Sequence, residues 1–182
     1  MNSRKQFLEK GGLGLLSLLT LPSTAFSTDT PGFEGLVVNE QEGETYMIRN
    51  GTTRLRIKIS KTEGSGSICF LSESILPGDA IPVHKHLNET ELIFLHKGSG
   101  VFTLGEKLYP VTEGAVAVVP KGIWHGLQNI GSENIEMRFA YTPSGFESFF
   151  REIGTPEGQP FVKRSQEEKR TIARKWGMIH KL

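Results

Sequence analysis

The sequence predicts an all-β domain, a sandwich or barrel, with short helices in a C-terminal tail. Two observations carry this. From Tyr46 to Thr142, short apolar runs rich in β-favouring residues are separated by Gly- and Pro-containing turns. After Pro143 the pattern changes to two amphipathic stretches with helix-capping signals. A chain of 182 residues allows one compact domain with a tail and makes two full domains unfavourable. The expected organisation is an export signal over 1–25, an N-terminal segment over 26–44, a β-barrel over 45–143 and a helical tail over 144–182.

The elements follow in order. Arg4, Lys5 and Lys10 precede the apolar run Leu13–Leu21, and Ser23 and Ala25 make a small-x-small pattern. This reads as an export signal cut after Ala25, with an apolar run too short to span a bilayer. Ser3-Arg4-Lys5-Gln6-Phe7-Leu8 resembles a twin-arginine signal, with Lys5 in place of its second Arg. The mature protein is therefore expected in the periplasm or outside the cell, with no stable membrane insertion.

Thr53–Ile59 alternates with period two, as a half-buried strand does. Ser67–Leu76 is a strand ended by Pro77-Gly78-Asp79, and Gly64-Ser65-Gly66 before it reads as a turn. Glu91–His96 closes at Lys97-Gly98-Ser99-Gly100. Val101–Leu104 and Lys107–Val111 flank Gly105-Glu106, a hairpin signal. Ala115–Val119 ends at Pro120-Lys121-Gly122; Trp124–Ile130 and Ile135–Thr142 flank Gly131–Asn134. In the tail, Ser144 and Glu147 form an expected capping box for a helix over Gly145–Ile153, with Phe146, Phe149, Phe150 and Ile153 on one stripe. A second helix over Gln166–Trp176 is capped by Ser165 and stopped by Gly177, with Ile172 and Trp176 as its packing face.

Composition narrows the function. Lys plus Arg is 21 against 20 for Asp plus Glu, so no basic face for nucleic acid is implied. A single Cys excludes an internal disulfide framework and a multi-cysteine metal site; Cys69 reads as a small core residue. The chemistry lies in the histidines. His84 and His86 are two apart, so in a strand both imidazoles share a face and reach one ion. Glu91 is five residues beyond His86, odd parity in a continuous strand, but Leu87-Asn88-Glu89-Thr90 is polar enough to break the strand and reset it. Glu89 is the rival carboxylate and is more simply a solvated turn residue. His125 follows a Pro-x-Gly turn and closes the set from another strand. Three imidazoles and one carboxylate suit a divalent transition metal, Fe, Mn, Co, Ni, Cu or Zn. His96, odd relative to Glu91, points to the outer face, and His180 belongs to a mobile end.

The spacings resemble a known family. Gly78-x5-His84-x-His86-x4-Glu91-x6-Gly98 resembles the first motif of the cupins, and Gly114-x5-Pro120-x-Gly122-x2-His125-x3-Asn129 their second. The resemblance implies a double-stranded β-helix, the jelly-roll barrel, with His84, His86, Glu91 and His125 as ligands to one metal inside it. The tail Pro143–Phe150 is similar to that of small cupins compared with quercetin dioxygenases. This implies an Fe-dependent oxidoreductase acting on a small molecule, with Glu91 as general base where it leaves the metal. A non-redox isomerase or lyase and a non-enzymatic ligand-binding protein remain alternatives on the same fold.

The remaining residues have quieter roles. Phe70, Ile93, Leu95, Phe102 and Met137 fit either an apolar pocket over the metal or core packing. Trp124 and Tyr141 are read as packing, and Arg56, Lys58 and Arg138 as solvated strand faces rather than contacts to an anionic substrate. If Glu91, Ile93 and Leu95 face inward, Leu92 and Phe94 face out and need a cover, from which a homodimer is expected.

Overall fold

The computed structural model describes residues 35–63 and 66–181. The export signal over 1–25 and most of the Gly64-Ser65-Gly66 turn lie outside them.

Two antiparallel sheets face each other. The strands are β1 (Glu44–Ile48), β2 (Thr53–Ile59), β3 (Cys69–Ile75), β4 (Ala80–His86), β5 (Thr90–Lys97) and β6 (Ser99–Leu104). They continue with β7 (Lys107–Thr112), β8 (Val116–Val119), β9 (His125–Gln128), β10 (Ile135–Thr142), β11 (Thr155–Pro156) and β12 (Met178–His180). The seven-stranded sheet runs β11-β1-β2-β3-β10-β5-β8, and the five-stranded sheet runs β12-β4-β9-β6-β7. Alternation puts Leu55 and Ile57, Ile93 and Leu95, and Met137 and Phe139 into the space between the sheets, all nearly fully buried. This is the all-β jelly roll expected, with two helices, α1 (Glu147–Ile153) and α2 (Gln166–Lys175).

The tail is more than a cover. β11 pairs with β1 at one edge of the larger sheet, and β12 pairs with β4 at the edge of the smaller one. The tail therefore adds a strand to each sheet, with helix packing in between. Phe146, Phe149 and Phe150 are buried against the core as the stripe predicts. The second helix has the expected capping box, Ser165 accepting from the Glu168 amide and Glu168 from that of Ser165. The first does not. Phe146 occupies its cap position and the buried Ser144 hydroxyl has no partner. Glu147 is fully buried; it accepts from the Gly145 amide at 2.7 Å and, across 86 positions, from the Lys61 amide at 2.8 Å. A long-range carboxylate anchor has replaced the local cap.

The expected solvated basic faces are also put to use. Lys58 is buried and donates to the carbonyls of Asn39 and Glu40. Arg56 donates to the Glu40 carbonyl, and Arg138 pairs with the Glu40 carboxylate at 2.7 Å. Together they hold the end of the N-terminal segment against the larger sheet. Leu92 and Phe94 point outward as expected and stay exposed, beside Val116 and Val118 on the edge strand β8. Among the described residues no helix is long and apolar enough to cross a membrane.

Burial pushes the Glu147 carboxyl up, but the bonds from Lys61 and Gly145 outweigh it and hold it below its ordinary value. Glu147→Gln is expected to cost about 1–3 kcal/mol of stability near neutral pH, read by urea titration. The folded group titrates below its unfolded value, so its contribution is complete above the unfolded pKa and is lost as pH falls through the folded one. The gap between wild type and variant should therefore narrow as pH falls below the ordinary carboxylate range, and a gap undiminished in acid would count against the anchor.

Candidate metal centre

The four candidate ligands converge. One donor atom from each of His84, His86, Glu91 and His125 lies within 4.8 Å of all the others, and all four residues are buried. His84 and His86 come from β4 and His125 from the adjacent β9, where it is the register partner of His84. Glu91 comes from β5 in the opposite sheet. The parity difficulty between His86 and Glu91 has this resolution: the turn between them carries the chain from one sheet to the other, and each residue faces inward in its own sheet.

A second device aims the histidines. Ile81 pairs with Leu127 and His84 with His125, so β4 spends one more residue than β9 between the two pairings. This bulge lies at Pro82-Val83, where a residue lacking an N–H is tolerated. It shifts the inward face from Ile81 to His84 and His86. The bulged strand presses on β9 at Gly126, where a Cβ would come within 2.9 Å of the Ile81 carbonyl oxygen. Only glycine allows that approach.

Hydrogen bonds set the tautomers. His84 Nδ1 donates to the Pro82 carbonyl at 2.8 Å, and His125 Nδ1 to the Ile123 carbonyl at 3.1 Å. Each ring bonds the carbonyl two residues before it, which leaves Nε2 bare and directed inward. The Nε2 atoms of His84 and His86 face each other at 3.2 Å, and Glu91 Oε2 lies 2.8 Å from His125 Nε2 and 3.5 Å from His86 Nε2. Lone pairs that face at such distances repel unless a proton or a cation lies among them. Burial, then the neighbouring His125 and His86, push His84 down to about 3, so it is a neutral donor at ordinary pH. Burial alone would raise Glu91, but the His125 and His86 rings packed against its carboxylate hold it well below the carboxylate range. The donor set fits a divalent metal.

The site opens on one side. His84, Glu91 and His125 line a cavity of about 510 Å³ that runs between the sheets. Ile93, Phe102 and Met137 line it as the sequence allows, whereas Phe70 and Leu95 do not. Tyr141 lines it as well, with its hydroxyl proton held by burial and the nearby Glu91 charge. Trp124 instead lies under the Lys85 ammonium, 4.7 Å from the ring. Phe146, Phe149 and Phe150 line the cavity too, with the Phe146 ring 4.4 Å from that of His86.

Three side readings change or gain detail. Glu89 is buried rather than solvated, with burial raising its pKa and one carboxylate oxygen unpartnered; it is not in the cluster of four. His96 is exposed on the outer face. His180 does not belong to a mobile end: β12 puts it opposite His84 in register, with its ring 6.2 Å from the His84 ring, and it lines the cavity. Gly177 followed by the β-favouring Met178-Ile179 was the signal for this strand.

Residues 71–141 match the family model described as a cupin domain. This stretch is a cupin domain. The matched stretch contains all four donors. The chain is 31% identical over 67 residues to an oxalate-binding protein of Thermotoga maritima, covering 37% of this chain and 55% of that one. It is 30% identical over 119 residues to germin-like protein 11-1 of Oryza sativa, 60% of this chain and 50% of the other. The chain thus spans about half the length of these sequence relatives. Among solved structures, a predicted oxalate decarboxylase of Thermotoga maritima superposes with a TM-score of 0.54 at 24% identity, covering 59% of this chain and 99% of its own. An RmlC-like cupin from Shewanella frigidimarina gives 0.51 at 14%, covering 60% and 92%. These structural likenesses establish the fold.

His84→Ala is expected to lower metal affinity by more than about 100-fold, the upper end of what outer partners cost. Glu89→Ala should leave it unchanged. Metal content of the purified variants by elemental analysis checks both; equal loss in the two would move the carboxylate ligand away from Glu91.

Proposed function

We propose that this cupin is a metal-dependent oxidoreductase, dioxygenase-like in its chemistry, that takes a small organic substrate into the barrel. One observation carries the reading: three of the four donors line the cavity rather than closing a sealed cage. An ion held by the four would keep positions open toward that cavity, the feature that separates reactive from structural sites. A redox-active divalent metal there, iron first, would supply electrons to dioxygen and polarise a substrate enolate or phenolate.

The chain's own residues supply the rest. Ile93, Phe102, Met137 and Phe139 give the cavity apolar walls, which hold an apolar substrate body and exclude water. Glu91, directed into the cavity and held ionised by His125 and His86, is placed to take the substrate proton. A second reading, a non-enzymatic binding protein for a small carboxylate, is favoured by the name of the oxalate-binding relative from Thermotoga maritima; a non-redox lyase or isomerase is the other alternative on the same fold.

Iron near one per chain is expected in native protein, with oxygen uptake on addition of aromatic or β-diketone substrates, read at an oxygen electrode. Glu91→Gln should slow that uptake by about 100-fold or more. A redox-inert native metal, or turnover that continues without oxygen, would favour the lyase or isomerase; saturable binding without turnover would favour the binding protein.

We also infer that the protein is exported and dimeric. The export reading rests on Arg4, Lys5 and Lys10 ahead of Leu13–Leu21. The homodimer rests on the exposed apolar set Leu92, Phe94, Val116 and Val118. Protein recovered from the periplasm should begin at Phe26 and sediment as two chains; an intact Met1 or a single-chain mass would overturn the corresponding part.

A further inference from the structure

The mouth of the cavity is built by residues outside the matched domain. Arg164, Lys169, Arg170 and Lys181 all line it, and all come from the tail. Lys169 and Arg170 stand three and four residues after Gln166, which lines the same mouth, so α2 turns one face toward the opening. Ala173, three residues further on, is buried beneath that face. The acidic residues of the same helix, Glu167 and Glu168, lie off it.

These cations lack ionic partners. Among the described residues none of the four forms an ion pair, although Arg164 donates to the Ile153 carbonyl at 3.2 Å. The lining cation from the other side, Arg49, is different. Its guanidinium is spent on the buried Glu73 carboxylate, at 2.6 and 2.9 Å, and on the Ala80 carbonyl. Glu73 is thereby neutralised, and Glu91 is committed to the histidine cluster. Among the lining side chains the remaining balance is four positive charges, and of these Arg164 stands near enough to Glu152 and Glu168 to be partly offset. The collar reaches inward as well, to His180, which lines the same cavity and stands beside His84.

Four unpaired cations around a low-dielectric cleft focus a positive field into it. We propose that the C-terminal tail forms an anion-selecting collar, so that the substrate is an organic carboxylate whose charged end rests on Lys169 and Arg170 while its body enters the apolar barrel. This rests on the cavity being the substrate site and specifies which substrates it admits.

The test is calorimetric binding to the metal-loaded protein, using benzoate, succinate and oxalate against benzamide, succinamide and oxamide. Each carboxylate of the preferred pair should bind about tenfold or more tighter than its amide, with the difference shrinking at high salt. The Lys169→Ala, Arg170→Ala double variant should lose that preference, and Arg170→Glu should weaken carboxylate binding further, with metal content unchanged. Both positions are at least partly exposed, and a thermal melt confirms that the variants fold. Equal binding of every acid and amide would overturn the proposal. So would a preference untouched by the double variant, because the carboxylate would then be read by the metal alone. Metal content and oxygen uptake on the same samples report on the oxidoreductase reading separately. A protein without iron that still prefers carboxylates through Lys169 and Arg170 would keep the collar and lose the oxidase chemistry.

Discussion

The interior of this barrel must hold three imidazoles and a carboxylate out of water, and much of its local architecture answers that constraint. An unsatisfied buried polar group costs about 1–3 kcal/mol, so four of them at one point would endanger a domain of this size. The solution is shared between the sheets. The smaller sheet contributes the three imidazoles and the larger sheet the carboxylate. Carbonyls two residues upstream take the Nδ1 protons of His84 and His125. What remains is an inward set of lone pairs and one carboxylate, an arrangement completed by a cation.

That arrangement depends on backbone features with no chemistry of their own. The bulge at Pro82-Val83 turns β4 so that His84 and His86 face inward, and Gly126 makes room for it. Asn129, fully buried, donates to the carbonyls of Ile75 and Glu133 and accepts from the Gly131 amide. It ties the end of β3 to the loop after β9, which fixes the two sheets together beside the ligand-bearing strand. The Gly122 amide donates to the His86 carbonyl at 2.6 Å, so the turn before His125 is docked on the strand that carries the other two histidines. The motif glycines and Asn129 thus serve the ligand geometry through the backbone.

Period-two patterning made β2 and β10 legible to the residue, and fixed offsets made the four ligands legible, because both depend on local spacing. The sequence-level reading failed where partners lie far apart along the chain. Ser144 and Glu147 have the spacing of a cap, yet Glu147 serves Lys61 instead, a contact no local pattern encodes. His180 and β12 were hidden for the same reason. A three-residue strand carries almost no periodicity and exists because β4 offers it an edge. Arg56, Lys58 and Arg138 were recognised as cations on strand faces, but which carbonyls and carboxylate they meet depends on how the N-terminal segment folds back. The cations that do reach the cavity, Lys169 and Arg170, carry a helical i, i+3, i+4 signal with Gln166, invisible in function until the helix is placed at the mouth.

This division has a consequence for how the molecule is specified. The matched cupin stretch, 71–141, holds the ligands and most of the inner wall. The mouth is built by what lies on either side: Arg49 and Asn50 before it, and the tail from Phe161 to Lys181 after it. Arg49 and Asn50 both adopt positive φ, at 49° and 62°, a conformation costly for side-chain-bearing residues, and the Arg49 side chain is held by the Glu73 pair and the Ala80 carbonyl. A buried centre inside the barrel with its entrance supplied by flanking segments separates two properties physically. The barrel determines which ion can be held and how it faces the cavity, through buried bonds that tolerate little change. The flanks determine what charge meets an incoming molecule, through exposed side chains whose substitution costs the fold little. Selectivity in this protein can therefore be altered at the tail without disturbing the centre, and a fold match confined to the barrel is silent about it.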